Sequence, residues 1–162
     1  MLLRDLRKGK DVQIASIIAT VAPDVLLLTD FDYDFDSMAL SAFVQSLDAA
    51  GLTYDHTFAS RPNTGLPTGL DMDGNGRTGE ARDVQGYGWF SGDGGMAVLS
   101  RFPIDQDNLE DLSDLLWHDV AGGTLPAIDV GPFPSQQAQG SQRLSTSGHW
   151  FACVAHTVVV TW

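Results

Sequence analysis

Between Asp11 and Leu28 the hydrophobic period changes from that of a helix to that of a buried strand. Ile14, Ile17, Ile18 and Val21 recur at helical spacing behind Asp11, an N-cap-type residue, and Pro23 ends the pattern. The uninterrupted run Val25-Leu26-Leu27-Leu28 follows at once and predicts a strand buried on both faces. An amphipathic helix feeding such a strand needs packed layers around it, so an α/β core is expected. A length of 162 residues suits one domain, able to bury about two-thirds of its unfolded surface.

The same reading places a second helix over 37–50, with Leu40, Phe43, Val44 and Leu47 on one face and Gly51 just past its end. Residues 54–58 return as a strand, and Gly95-Met96-Ala97-Val98-Leu99-Ser100 is a further buried one. Leu109, Leu112, Leu115 and Leu116 give residues 105–119 a weak helical period, and 150–162 reads as a closing strand. Two long stretches rich in Gly, Asp, Asn, Pro and Ser, 60–94 and 122–143, separate these elements. An irregular segment as long as the first usually carries function in a compact domain.

Charge narrows the chemistry. Nine Lys and Arg stand against 21 Asp and Glu, a net charge of −12, and four of the nine basic residues lie in the first ten positions. A broad grip on a phosphate backbone is therefore disfavoured, long duplex DNA in particular, and any phosphate chemistry needs divalent cations. Cys153 is the one cysteine, which excludes an internal disulfide and reads as a small apolar core residue. No apolar run approaches the ~18 residues of a membrane span. The basic opening residues are not followed by the apolar stretch of a signal peptide. Neither a Gly-rich phosphate loop ending in Lys nor a nucleophile elbow around Ser100 is present.

Two acidic constellations stand out. Asp30, Asp32, Asp34 and Asp36 alternate with Phe31, Tyr33 and Phe35 where the first strand should end, so an extended backbone would put all four carboxylates on one face. Such charges must splay into water or share a cation. Asp30 and Asp32, nearest the carboxyl end of the strand, are the metal candidates, and Asp36 or Ser37 would cap the next helix. The second constellation is Asp71-Met-Asp73-Gly-Asn75-Gly76, with oxygen donors at positions 1, 3 and 5 and Gly at 6, as in the opening of a Ca²⁺-binding loop. Position 12 is Arg82 and no helical pattern leads into Asp71, so a helix–loop–helix hand is not expected. Asp71, Asp73, Asn75 and Glu80 are the candidate ligands, with Asp83 as an alternative to Glu80 for closing the shell. Among the histidines, His56 and His118 read as structural, and His149, beside Trp150, is the catalytic candidate.

Three segments, "PDVLLLTDFDYD", "NTGLPTGLDMDGNGRTGEARDVQGYGWFSGDGGMAVLSRFPI" and "RLSTSGHW", together resemble the endonuclease/exonuclease/phosphatase family, the metal-dependent phosphoesterases related to pancreatic deoxyribonuclease. "GMAVLSRFPI" looks like that family's G-x-A-x-L-S-R-x-P-I strand and turn, with Arg101 supporting the structure around the site. "VLLLTDFD" looks like its strand bearing the metal-binding acid, with Asp30 where a Glu is usual, and "DMDGNGRTG" resembles a bacterial subgroup. The resemblance implies a partial four-layer α/β sandwich, two packed mixed sheets flanked by helices, incomplete in this chain. It also implies hydrolysis of a phosphomonoester or phosphodiester with Mg²⁺ or Mn²⁺; Ca²⁺ at the 71–80 loop is the separate expectation from the spacing of its oxygen donors.

The family pattern further includes an earlier strand with a metal-site Asn, and a later catalytic His, an Asp-x-Asn motif and an Asp-His pair, which these 162 residues do not match. A domain over 1–162 truncated at both ends, inactive alone, is the expectation. Uncovered strand faces and sheet edges would then favour self-association. The subgroup suggests an exported or periplasmic protein whose signal is missing from this sequence. A different reading of the same acids is a non-catalytic, calcium-stabilised binding module.

Overall fold

Short apolar runs separated by Gly-rich turns fold here into two small sheets with helices on one side. The computed structural model describes residues 2–154 and 157–160. In chain order the elements are α1 (Leu2–Leu6), α2 (Val12–Val21), β1 (Val25–Phe31), α3 (Met38–Ala49), β2 (His56–Ser60), β3 (Gly95–Ser100), β4 (Ile104–Asp111), a 3₁₀ turn (Trp117–Asp119), α4 (Gln136–Gly140), β5 (Trp150–Val154) and β6 (Thr157–Val160). One sheet has the order β1-β3-β2 and the other β4-β5-β6, both antiparallel.

β3 is buried over all six residues, and its alternating side chains serve two cores. Ala97 and Leu99 point to the helices, where Leu6, Ala15, Leu40, Phe43 and Leu47 join them. Met96 and Val98 point the other way and meet Trp150 and Ala152 of β5. Phe58 of β2 closes that contact edge to face against Trp150, ring centroids 4.9 Å apart. Helices, first sheet and second sheet are thus three successive layers of an α/β sandwich.

The strand buried on both faces is β3, not β1 as its four apolar residues suggested. Among the described residues β1 is paired with β3 alone, so it lies at the sheet edge with Leu27 39% exposed. α2 spans the expected residues but turns Ala15 inward, which leaves Ile14, Ile17 and Val21 mostly in solvent, with Ile18 and Ala19 partly packed. α3 buries Leu40, Phe43 and Leu47 as its period requires, and Gly51 follows it at φ 88°. Its cap comes from farther back than expected. Ser37 occupies the N-cap position in a left-handed conformation without a side-chain bond, and the Asp34 carboxylate instead accepts from the N–H groups of Met38 and Ala39 at 2.6 and 3.1 Å. β2 begins two residues later than the strand expected at 54–58, because Tyr54 is used as an anchor, its hydroxyl donating to Pro23 O at 2.8 Å.

The acidic segment after β3 is a strand rather than a helix. Only Ile104 and Leu109 of β4 are partly buried, and the residues between Asp105 and Glu110 loop out of register, held by Asn108 donating to the Asp105 carboxylate. A helical period of four leucines was too weak to outweigh pairing with β5. The expected closing strand is a hairpin of β5 and β6, and residues 155, 156, 161 and 162 lie outside the described ones. Register in β5 puts Trp150, Ala152 and Val154 inside, so Cys153 is exposed on the far face and is not a core residue. No helix among the described residues is long and apolar enough to cross a membrane.

Truncating Trp150 to Ala removes the largest fully buried side chain between the sheets and is expected to cost about 3–5 kcal/mol in urea unfolding. Cys153 in the native chain is expected to react with a thiol reagent without denaturant; protection equal to that of a buried thiol would contradict the β5 register.

Candidate functional site

β1 runs in register with β3 from Val25 opposite Ser100 to Thr29 opposite Met96, and then Phe31, not Asp30, faces Gly95. The extra residue is a bulge, and Asp30 absorbs it with φ 57°, in the left-handed region that Asp enters more readily than most side chains. This break in the period of two overturns the expectation of four aspartates on one extended face. What results is a pair. A Cβ on Gly94 would lie 3.0 Å from Asp30 Oδ1, and Gly94 N–H donates to Asp32 Oδ1 at 3.4 Å, so both carboxylates border one glycine at the mouth of the first sheet. Asp34 is used up in capping α3, and Asp36 is exposed. Strain held at a strand end by surrounding pairing is a feature that clusters at functional sites.

The Asp71 loop is the second acidic group. Asp71 accepts backbone N–H bonds from Gly74 and Asn75 on Oδ1 and from Gly76 on Oδ2, at 2.7, 3.1 and 2.8 Å. These bonds, that from Gly76 foremost, hold its carboxyl below the usual aspartate range. Gly74 and Gly76 adopt φ 76° and 81°, which the turn requires. Carboxylate oxygens of Asp71, Asp73 and Asp83 lie within 4.8 Å of one another. The acid that joins Asp71 and Asp73 is therefore Asp83, whereas Glu80 binds Asn75 Nδ2 at 2.7 Å and faces Arg77. Asp83 is 2% exposed, and its two oxygens accept from the N–H groups of Met72 and Glu80 at 2.9 Å each. Hard carboxylate oxygens suit a hard divalent cation, and in both groups the donor chemistry fits such an ion.

His149 lies elsewhere, at the entry to β5. It is buried, its backbone N–H donates to Ser113 Oγ at 3.0 Å, and its ring leans on Phe151 with centroids 5.5 Å apart. A polar tie that the sequence did not reveal sits nearby. Asn63, 1% exposed, donates from Nδ2 to the carbonyls of Ser113 and Ser145 at 2.7 Å and accepts from Arg143, which also pairs with Asp114 at 2.6 Å. This network pins the 61–94 segment to the segments bounding the second sheet. A single Asn in a Gly/Pro-rich stretch gives no periodic signal of that role.

The model of the Endonuclease/Exonuclease/phosphatase family matches residues 5–153. The chain belongs to this family. Among solved structures it is similar to an endonuclease/exonuclease/phosphatase from Beutenbergia cavernae, 20% identical, with a TM-score of 0.46, covering 93% of this chain and 31% of that one. The chain thus spans under a third of that protein's length. No curated protein matches it. The matched range includes Asp30, the Asp71 loop and β3.

Removing the Asp83 carboxylate orphans the buried N–H of Met72 and the partly buried one of Glu80, and a buried donor left unsatisfied costs about 1–3 kcal/mol. Asp83→Ala is accordingly expected to unfold at clearly lower temperature than Asp73→Ala in metal-free buffer; equal melting temperatures would show that the loop does not depend on Asp83. Because Asp71's folded pKa is lowered, its contribution is present above the unfolded value of about 3.9 and is lost as pH falls through the lower folded value. Loop stability followed by amide exchange should therefore hold at pH 5 and fall only in stronger acid, and Asp71→Asn should abolish that dependence.

Proposed function

We infer that the chain carries part of the metal site of a divalent-metal-dependent phosphoester hydrolase. The observation that supports this most directly is the bulge that holds Asp30 left-handed against Gly94 and beside Asp32. Asp30 and Asp32 would hold Mg²⁺ or Mn²⁺ with waters completing the shell, since Mg²⁺ usually keeps several. A bound divalent ion supplies stabilisation of charge developing on the phosphoryl oxygens. The protein's own part is to fix the two carboxylates on the end of a paired strand and, through Gly94, to leave room beside them. His149 is the candidate base, although its described contacts are with the second sheet, so the chain alone is expected to turn over little or nothing.

A second reading rests on the Asp71 loop. Asp71, Asp73, Asn75 and Asp83, with Glu80 at the rim, form a calcium-type site that stabilises the 61–94 segment, and this alone would suffice for a binding module without hydrolysis. The exposed Ile14, Ile17 and Val21 on α2, with Leu27 on the neighbouring edge strand, favour self-association of the isolated chain.

Mn²⁺ binding, read by electron paramagnetic resonance, is expected to weaken at least tenfold in Asp30→Ala, with at most trace hydrolysis of bis-p-nitrophenyl phosphate by the native chain. Turnover indifferent to Asp30 would sink the site assignment. Millimolar Ca²⁺ is expected to raise the melting temperature of the native chain and not that of Asp71→Ala; a rise in both would place the ion elsewhere.

A further inference from the structure

The loop that carries Gly94 also carries three aromatic side chains that the fold does not bury. Tyr87, Trp89 and Phe90 are 55%, 78% and 48% exposed, and the Tyr87 and Trp89 rings meet edge to face with centroids 6.0 Å apart. They line an open groove of about 800 Å³ together with Arg61, Arg82 and Glu80. In a chain of net charge −12, two of nine basic residues in one groove is a local reversal of sign. Neither arginine takes part in an ion pair among the described residues. Arg61 is held instead by a neutral partner, its Nε and Nη2 donating to Ser91 Oγ at 2.9 and 2.5 Å, so its charge is positioned but not neutralised. Glu80 is engaged by Asn75 and Arg77.

The groove is built, not a loose flap. Gly65 and Gly88 bring two backbone segments into direct contact. A Cβ on Gly65 would overlap the Phe90 carbonyl, and one on Gly88 would lie 2.9 Å from Gly65 N. The Trp89 backbone N–H donates to Asp93 Oδ2 at 3.1 Å, and Gly92 O accepts from the Tyr33 backbone N–H at 2.7 Å. The aromatic loop is therefore anchored on one side to residues 64–65 and on the other to the turn bearing Asp30 and Asp32. Exposed rings offer flat faces for stacking, and a guanidinium offers a planar fork for a phosphate.

We propose that this groove is the subsite for a planar ring on a phosphoester, with Trp89 and Tyr87 stacking on the ring and Arg61 and Arg82 meeting the anionic group. The proposal rests on the phosphoesterase reading and names its substrate class: esters whose organic part is flat, whether a nucleobase or a simple aryl group. Small ligands of this kind fit the groove, and the acidity of the remaining surface opposes a long polyanion.

The test is a titration of the native 162-residue chain in EDTA, without added metal, following the Trp89 indole N–H signal by NMR, its assignment fixed by Trp89→Phe. The ligands are AMP, phenyl phosphate, glycerol 2-phosphate and adenosine. AMP or phenyl phosphate is expected to shift the signal saturably, at least tenfold more tightly than glycerol 2-phosphate or adenosine. Tighter binding of AMP than of phenyl phosphate identifies the nucleobase as the source of the ring, and equal binding identifies any aryl group. Followed on the ligand's own proton signals, a readout that does not depend on Trp89, Trp89→Ala and Arg61→Ala should each weaken binding about tenfold, with Arg61→Lys recovering part of it; both positions are exposed, so these variants keep the core. Absence of a saturable shift, equal binding of glycerol 2-phosphate, or full binding by Trp89→Ala overturns the proposal. Asp30→Ala separates the two readings: ring binding that survives while Mn²⁺ binding is lost supports the groove, and Mn²⁺ binding without ring binding leaves only the metal site.

Discussion

Burial of β3 on both faces is the constraint on which the fold rests. Every residue from Gly95 to Ser100 is inside, so each side chain must find a partner layer, Ala97 and Leu99 among the helices and Met96 and Val98 against the second sheet. A strand with two buried faces joins two cores that would otherwise each be too small to be stable. It also carries the hydrogen bonds of both β1 and β2, which makes it the centre of the first sheet in that direction too.

The position of the acids follows from how that strand begins. Gly95 sits opposite Phe31, and a Cβ there would lie 3.0 Å from the Phe31 carbonyl oxygen, so the pairing is close at this point. Keeping this pairing while passing one extra residue in β1 is what forces Asp30 into the left-handed region and turns its carboxylate towards Gly94. The metal candidate is therefore a by-product of sheet register, fixed by pairing rather than by a flexible loop.

This also marks what the sequence made legible. β3 was readable because "GMAVLS" is continuous and flanked by turns, and α3 because Leu40, Phe43 and Leu47 keep a helical period into a closing glycine. The Asp71 loop was readable because its acids are local in sequence, although the burial of Asp83, which brings it beside Asp71 and Asp73, depends on Met72 and Glu80 backbone groups folding over it. Long-range facts were not readable. The outward turn of Ile14, Ile17 and Val21, the edge position of β1, the exposure of Cys153 and the replacement of an acidic helix by β4 all depend on which neighbour a segment meets, and periodicity does not name neighbours. Arg61, Tyr87, Trp89 and Phe90 were missed because "YGWF" has no period; the available signal was three large aromatics inside a Gly-rich loop, where no core can bury them.

Acids and arginines are segregated across one short loop. Residues 89–94 have the aromatic groove with Arg61 and Arg82 at one end and Asp30 with Asp32 at the other. Had the arginines paired with these aspartates, both sets would be neutralised and neither would attract a ligand. Held apart, the carboxylates favour a cation and the guanidiniums favour an anion, so the two ends of the loop attract groups of opposite charge. Glycines at 88 and 92 bring the connecting backbone against the main chain of Gly65 and Tyr33, so the separation between the two charges is set by packed main chain, while Gly94 leaves space for the Asp30 carboxylate. On such an arrangement, changes that alter the loop backbone, rather than the charged residues themselves, should disturb both sites together.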